Sequence, residues 1–137
     1  LLILNRDVLQ YNQLGLIMCK DIEYLDSVVA KHCHRVFAMY NAKVSDTNIY
    51  IGRGKGSILG NPFSKPNSRV ENCIKYRNHM LQVVRTNSDP QLIQAIKDLK
   101  GKNVICFCSN GTDSVSKGAR YCHGHIILNI CEYLNKD

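Results

Sequence analysis

The sequence predicts a small α/β domain built on a short, mostly parallel sheet, and three observations carry that expectation. Residues 48–52 (Asn-Ile-Tyr-Ile-Gly) and 103–108 (Asn-Val-Ile-Cys-Phe-Cys) are short apolar runs of strand character bounded by turn residues. Between them lie two stretches with a helical period of apolar positions. A third helical run, residues 126–134, follows the second strand. Strands joined by a helical crossover pair as parallel neighbours through a right-handed connection. The order strand, loop, helix, helix, strand, loop, helix is Rossmann-like and allows two or three layers.

Each element has a local reason. Asp21 is placed to cap a short helix with Ile22, Leu25, Val28 and Val29 on one side. Ser68 and Glu71 form a capping box. The helix behind it repeats Val70, Cys73, Ile74, Arg77, Met80, Leu81 and Val84, and ends near Thr86. Asp89 and Pro90 open the next helix, whose apolar face is Leu92, Ile93, Ile96 and Leu99. Gly101 stops it. The last helix is expected to begin near Cys122 or His123. Residues 1–16 have no clean period, and residues 1–38 balance four basic against four acidic groups. The expected organisation is therefore an N-terminal extension, residues 1–38, and a single α/β domain, residues 39–137. A chain starting at Met39 is expected to keep cooperative unfolding.

Bulk composition narrows the class of function. The chain has 137 residues and a net charge of +7, all of the excess in residues 39–137, which carry fourteen Lys/Arg and seven Asp/Glu. Such a domain attracts anions: a phosphorylated small molecule, nucleic acid or an acidic protein. Simple solubility accounts for the same charge equally well. No apolar run approaches the roughly 18 residues of a membrane span, and residues 1–4 are too short for a signal-peptide core. Seven cysteines is an odd number for a secreted disulfide framework. The expected location is the cytoplasm, where thiols are reduced, metal-bound or catalytic.

Two segments carry chemistry. The first strand runs into a glycine loop with Gly52, Arg53, Gly54, Lys55, Gly56 and Gly60, followed by Asn61-Pro62-Phe63. Glycines let backbone amides approach and cradle an anion, and Arg53 and Lys55 add positive charge. The candidate ligand-binding residues are Gly52, Arg53, Gly54, Lys55, Gly56 and Asn61. The loop is neither a P-loop nor the dinucleotide fingerprint, since Ser57 stands at the third glycine position. The alternative is a basic surface turn.

The second segment gathers Cys106, Cys108, Cys122, His123 and His125. Three thiolates and an imidazole, Cys106, Cys108, Cys122 and His123, suit zinc, although the C-x-C spacing is not that of a common knuckle. Cys122 beside His123 at a helix N-terminus instead suits a nucleophile of depressed pKa, with Cys122, His123 and His125 as candidate catalytic groups. Buried core thiols are the third reading. Cys73 and Cys131 are expected in the core, and His79 in solvent. Parallel strands end at one edge of the sheet, so the glycine loop and the Cys/His cluster are expected to share one crevice. Arg53 and His123 should then lie within about 10 Å of each other.

Ile49 to Gly54, Leu59 to Phe63, the helix with Ile74, Tyr76 and Arg77, the Leu92 to Leu99 helix, Val104 to Cys108, and Cys122-His123-Gly124-His125 together resemble the uncharacterised family called domain of unknown function 4326. The resemblance covers residues 46–135 and implies a phage or mobile-element origin, hence the host cell cytoplasm, but no reaction. This sequence departs from the family in a longer glycine loop, in the long stretch between Cys108 and Cys122, and in His125 where an acidic residue is frequent. The functional expectation is a domain that binds a phosphorylated ligand, a nucleotide or nucleic-acid end, between the glycine loop and the Cys/His cluster, and acts on it. The competing expectation is a non-catalytic zinc-stabilised module that binds nucleic acid or a host protein.

Overall fold

The computed structural model describes residues 19–37, 42–54, 57–63, 69–106 and 121–136. Its elements are α1 (Cys19–His32), a 3-10 turn (Cys33–Arg35), β1 (Val36–Phe37), β2 (Asn48–Tyr50), α2 (Arg69–Thr86), α3 (Pro90–Lys97), β3 (Asn103–Ile105) and α4 (His123–Leu134). The three strands form one sheet in the order β1-β3-β2. Both pairings are parallel, with Val104 opposite Val36 and Ile49, and Ile105 opposite Phe37 and Tyr50. This is the expected small α/β domain with a parallel sheet. The β2–α2–α3–β3 crossover also has the expected parallel outcome.

The central strand is β3, and its burial explains its composition. Val104 and Ile105 are fully buried, and a neighbouring strand on each side satisfies the backbone. The ladder continues past the strands: Ile51 N–H donates to Ile105 O at 2.9 Å and Cys106 N–H to Phe37 O at 2.9 Å. At the other end Asn103 N–H donates to Thr47 O at 2.8 Å. Cys106 is thus fixed at the carboxyl edge of the middle strand.

Helix α4 is the hub of the helical layer. It is apolar around most of its circumference, as a helix buried on several sides must be, and His123 through Leu128 are all buried. Helices α1, α2 and α3 each pack against it. Its first turn lies close on the sheet. A Cβ at Gly124 would stand 2.9 Å from Ile51 Cδ1, 3.1 Å from Val104 Cγ2 and 3.2 Å from Val36 Cγ1. Only glycine allows helix and sheet to approach this closely.

Helices α2 and α3 end and begin as their residues direct. Asp89 is the N-cap of α3, its carboxylate accepting from Leu92 N–H at 3.1 Å, and Pro90 occupies the first turn. Ile96 and Leu99 are buried, while Leu92 and Ile93 pack at the core's margin. Ser68, read as the cap of α2, lies outside the described residues.

The N-terminal part differs most from expectation. Residues 19–37 were read as lying in an extension; they supply α1, the 3-10 turn and an outer strand of the sheet. Leu25, Val28 and Val36 belong to the same core as Val104 and Ile126. The boundary expected between residues 38 and 39 falls between β1 and the rest of its own sheet. Asp21, read as a cap, sits inside the first turn of α1 and pairs with Arg77 of α2 at 2.7 Å, both buried. Asn78 Oδ1 also accepts from Arg77, and the guanidinium lies over the Tyr24 ring, 4.9 Å from its centroid. A polar knot therefore joins α1 to α2.

His32 closes α1 and is buried, with no hydrogen-bond partner at Nε2 among the described residues. Burial pushes its pKa below 6.5, against the opposing pull of Glu132. A depressed histidine pKa means the fold favours the neutral ring. That stability is present above pH 6.5 and is lost as pH falls through the folded pKa. Melting between about pH 7.5 and about pH 5.5 should show this loss, and His32→Asn should flatten it. Equal losses in both proteins would show that His32 has no part in it.

Candidate metal centre

Cys106 leaves the end of β3, and Cys122 and His123 open α4, so the topology brings three ligand-type side chains to the carboxyl edge of the sheet. Their ligand atoms all lie within 4.8 Å of one another, and all three residues are buried. Cys122 is the N-cap of α4, and its Sγ accepts the Gly124 N–H at 3.3 Å. The amide in the first turn of α4 is thus aimed at the Cys122 sulfur.

The hydrogen bonds of His123 settle its tautomer. Nε2 lies 2.8 Å from Ile51 O and 3.2 Å from Leu59 O. Carbonyl oxygens only accept, so Nε2 carries the proton and donates to both. In the neutral ring Nδ1 then keeps its lone pair, and it stands 3.9 Å from Cys122 Sγ. A neutral imidazole with one nitrogen committed to backbone carbonyls and the other facing a thiol is the arrangement a metal-ligating histidine takes. Tyr76 of α2 packs edge-on against the ring, with centroids 5.2 Å apart, and holds it in place. Burial raises the Tyr76 phenol far above its usual range, with a smaller push from Cys122.

The same two carbonyls tie the centre to the glycine loop. Leu59 is buried, and the loop closes on itself beneath it. A Cβ at Gly60 would meet Gly52 O at 3.0 Å and Arg53 Cα at 3.2 Å, both backbone atoms. The loop and the cluster thus converge on one edge of the sheet. Among the described residues, however, Arg53 and Asn61 are engaged by the loop and by α2. Arg53 donates through Nε to Asn61 O at 2.8 Å and through Nη2 to Phe63 O at 2.7 Å. Asn61 is buried, accepts from Phe63 N–H at 2.9 Å and donates to Asn72 O at 3.3 Å. Arg53 and Asn61, read as ligand-binding, brace the turn in this structure. Gly52 is buried and Gly54 is exposed, while Lys55 and Gly56 lie outside the described residues.

The remaining candidates separate. His125 stands apart from the group of three, and its Nδ1 donates to Cys122 O at 3.1 Å, which steadies the N-cap residue. Cys108 lies outside the described residues. Cys73 and Cys131 are buried as expected, and His79 is exposed with its ring edge-on to Phe63. Tyr121, just before Cys122, donates to Asp26 of α1 at 2.7 Å, and that bond pushes its pKa up to about 12. Sequence reasoning missed Tyr76 and the two carbonyls that face His123, because ring packing and main-chain acceptors leave no composition signal.

The profile of the domain of unknown function (DUF4326) matches residues 35–133. The chain belongs to this family. The matched span contains every strand of the DUF4326 sheet, β1 included, and all three residues of the buried cluster. It begins eleven residues earlier than the 46–135 resemblance read from motifs. Comparison with curated proteins and with solved structures gave no match. No helix among the described residues is long and apolar enough to cross a membrane.

Proposed function

We propose that this DUF4326 domain is a zinc-stabilised module in which Cys106, Cys122 and His123 supply three of the ion's four ligands. The observation that carries the reading is the buried triad, with its ligand atoms within 4.8 Å and His123 Nε2 already committed to carbonyls. Two thiolates and a neutral imidazole cancel the charge of Zn²⁺, so the burial is electrostatically inexpensive. A tetrahedral zinc with ordinary bonds separates its ligand atoms by about 3.5–3.8 Å. The 3.9 Å between Cys122 Sγ and His123 Nδ1 is close to that already. The ion would fasten the end of β3, the start of α4 and, through His123, the glycine loop. In this reading the basic surface, part of a net charge of +7, engages a phosphorylated partner, a nucleotide or nucleic acid.

One observation favours a second reading. Cys122 is an N-cap thiol facing His123 Nδ1, which is also the arrangement of an activated nucleophile. Metal analysis of protein purified without added metal separates the two. Equimolar zinc, lost on Cys122→Ser and His123→Ala, with Cys106 and Cys122 slow to alkylate until a chelator is added, supports the module. Metal-free protein with one fast-alkylating thiol at Cys122 overturns it and supports the nucleophile.

A further inference from the structure

At the opposite edge of the sheet from the Cys/His centre lies a cavity of about 640 Å³. It is bounded by the carboxyl half of α4 on one side and by Arg35 and the Lys100–Gly101 turn on the other. Topology explains its position. Strands β1 and β3 start immediately after Arg35 and Lys102, so both segments stand at the amino edge, and α4 runs back toward that edge. Gly101, in the left-handed region at φ 75°, turns the chain sharply there. The volume falls within the range of small-molecule sites.

The lining combines an apolar base with a cationic rim. Leu128 and Cys131 are buried residues of α4, and Tyr133 adds a half-buried ring. The charged lining groups are Arg35, Lys100, Lys136 and Glu132, and Glu132 is already paired with Lys31 of α1. The cations are therefore in excess.

Arg35 is not a loose surface cation. Its Nε donates to Lys102 O at 3.1 Å, and its Nη2 donates to Leu99 O at 3.4 Å and also to Lys102 O. These bonds fix the guanidinium plane, and none of them uses Nη1. Asn135 covers another carbonyl of the α3 terminus, donating to Lys97 O at 3.1 Å. Carbonyls that would otherwise repel an anion are thus already occupied by donors. His32 does not itself line the cavity. The His32 ring interacts with Asn129 and feels Glu132 and Arg35, all cavity-lining residues. Its Nε2 is buried and has no hydrogen-bond partner among the described residues.

We propose that this cavity is a binding site for a small organic anion with an apolar body, an aryl phosphate or aryl carboxylate in type. The ring seats over Leu128, Cys131 and Tyr133, and the anionic group meets the fixed edge of Arg35 together with Lys100 and Lys136. The site is separate from the Cys/His centre and does not depend on zinc.

Amide chemical-shift titration of the full chain tests the proposal, with phenyl phosphate and benzoate as charged probes and benzyl alcohol as the neutral one. At least one charged probe should give saturable shifts confined to Arg35, Lys100, Gly101 and residues 128–136, with benzyl alcohol at least tenfold weaker. Which charged probe binds more tightly distinguishes phosphate from carboxylate as the natural anion. The double variant Lys100→Glu/Lys136→Glu, at two exposed positions, should weaken that probe at least tenfold, whereas Lys43→Glu should not. No saturable shift there, equal binding of benzyl alcohol, or an unaffected double variant overturns the site. Shifts centred on residues 52–59 and 123 would also overturn it, and would place anion binding at the glycine loop.

Discussion

A chain that begins at Met39 will lose cooperative unfolding. It lacks β1, so β3 loses the partner on one side and the Cys106 N–H loses its acceptor, Phe37 O. It also lacks Leu25, Val28, Val29 and Val36, each almost fully buried. Burying one such side chain stabilises a fold by about 1.5–3 kcal/mol. Four together approach the whole stability of a small domain, about 5–15 kcal/mol. Arg77 would lose both Asp21 and the Tyr24 ring that covers it. In the full chain Asp21→Asn leaves Arg77 buried without its carboxylate, and breaking a buried pair from one side costs about 3–5 kcal/mol. Thermal melts read by circular dichroism should show a broad transition without a baseline for the truncated chain. The full chain should melt sharply, and Asp21→Asn should melt well below it. A sharp melt from the Met39 chain would mean that α1 and β1 decorate a core that stands without them.

Removal of the metal is the second large effect. If zinc occupies the triad, a strong chelator should lower the melting temperature by about 10–25 °C. Occupancy at 100 to 1,000 times the dissociation constant is worth about 2.7–4.1 kcal/mol, and each kcal/mol shifts a domain of this size by several degrees. Cys122→Ser should reproduce most of the shift and make the protein insensitive to chelator. Acid should act in the same direction, because the thiolates and His123 Nδ1 must give up metal to take protons. A melting temperature indifferent to chelator, in protein shown to contain zinc beforehand, would mean that the ion does not support the fold. His125→Ala is a useful contrast: it removes a bond to Cys122 O without removing a member of the triad.

Much of the site was legible because it depends on order along the chain. Cys106 follows a strand and Cys122 starts a helix, and parallel pairing of β2 with β3 then obliges the glycine loop and the cysteines to meet. The loop's own chemistry was not legible. Arg53 has the same residue type whether it holds a phosphate or, as here, the carbonyls of Asn61 and Phe63. The tautomer of His123 depends on which atoms surround Nε2, and those are backbone oxygens of residues 51 and 59. Spacing alone cannot tell His123 from His125, yet only the former joins the cysteines.

The sequence by itself determined the α/β class, the positions of α2, α3 and α4, the parallel direction of β2 and β3, and the segments that carry sulfur and imidazole. Those features arise from local periods, caps and chain order, which neighbouring residues encode. Only the tertiary structure decided that residues 19–37 are part of the domain. A two-residue strand has no period to read, and the neutral charge of that segment hides a buried Asp21–Arg77 pair whose halves lie 56 residues apart. Only the tertiary structure, likewise, opened a cavity beside Arg35, because its walls come from three segments that meet at the amino edge of the sheet.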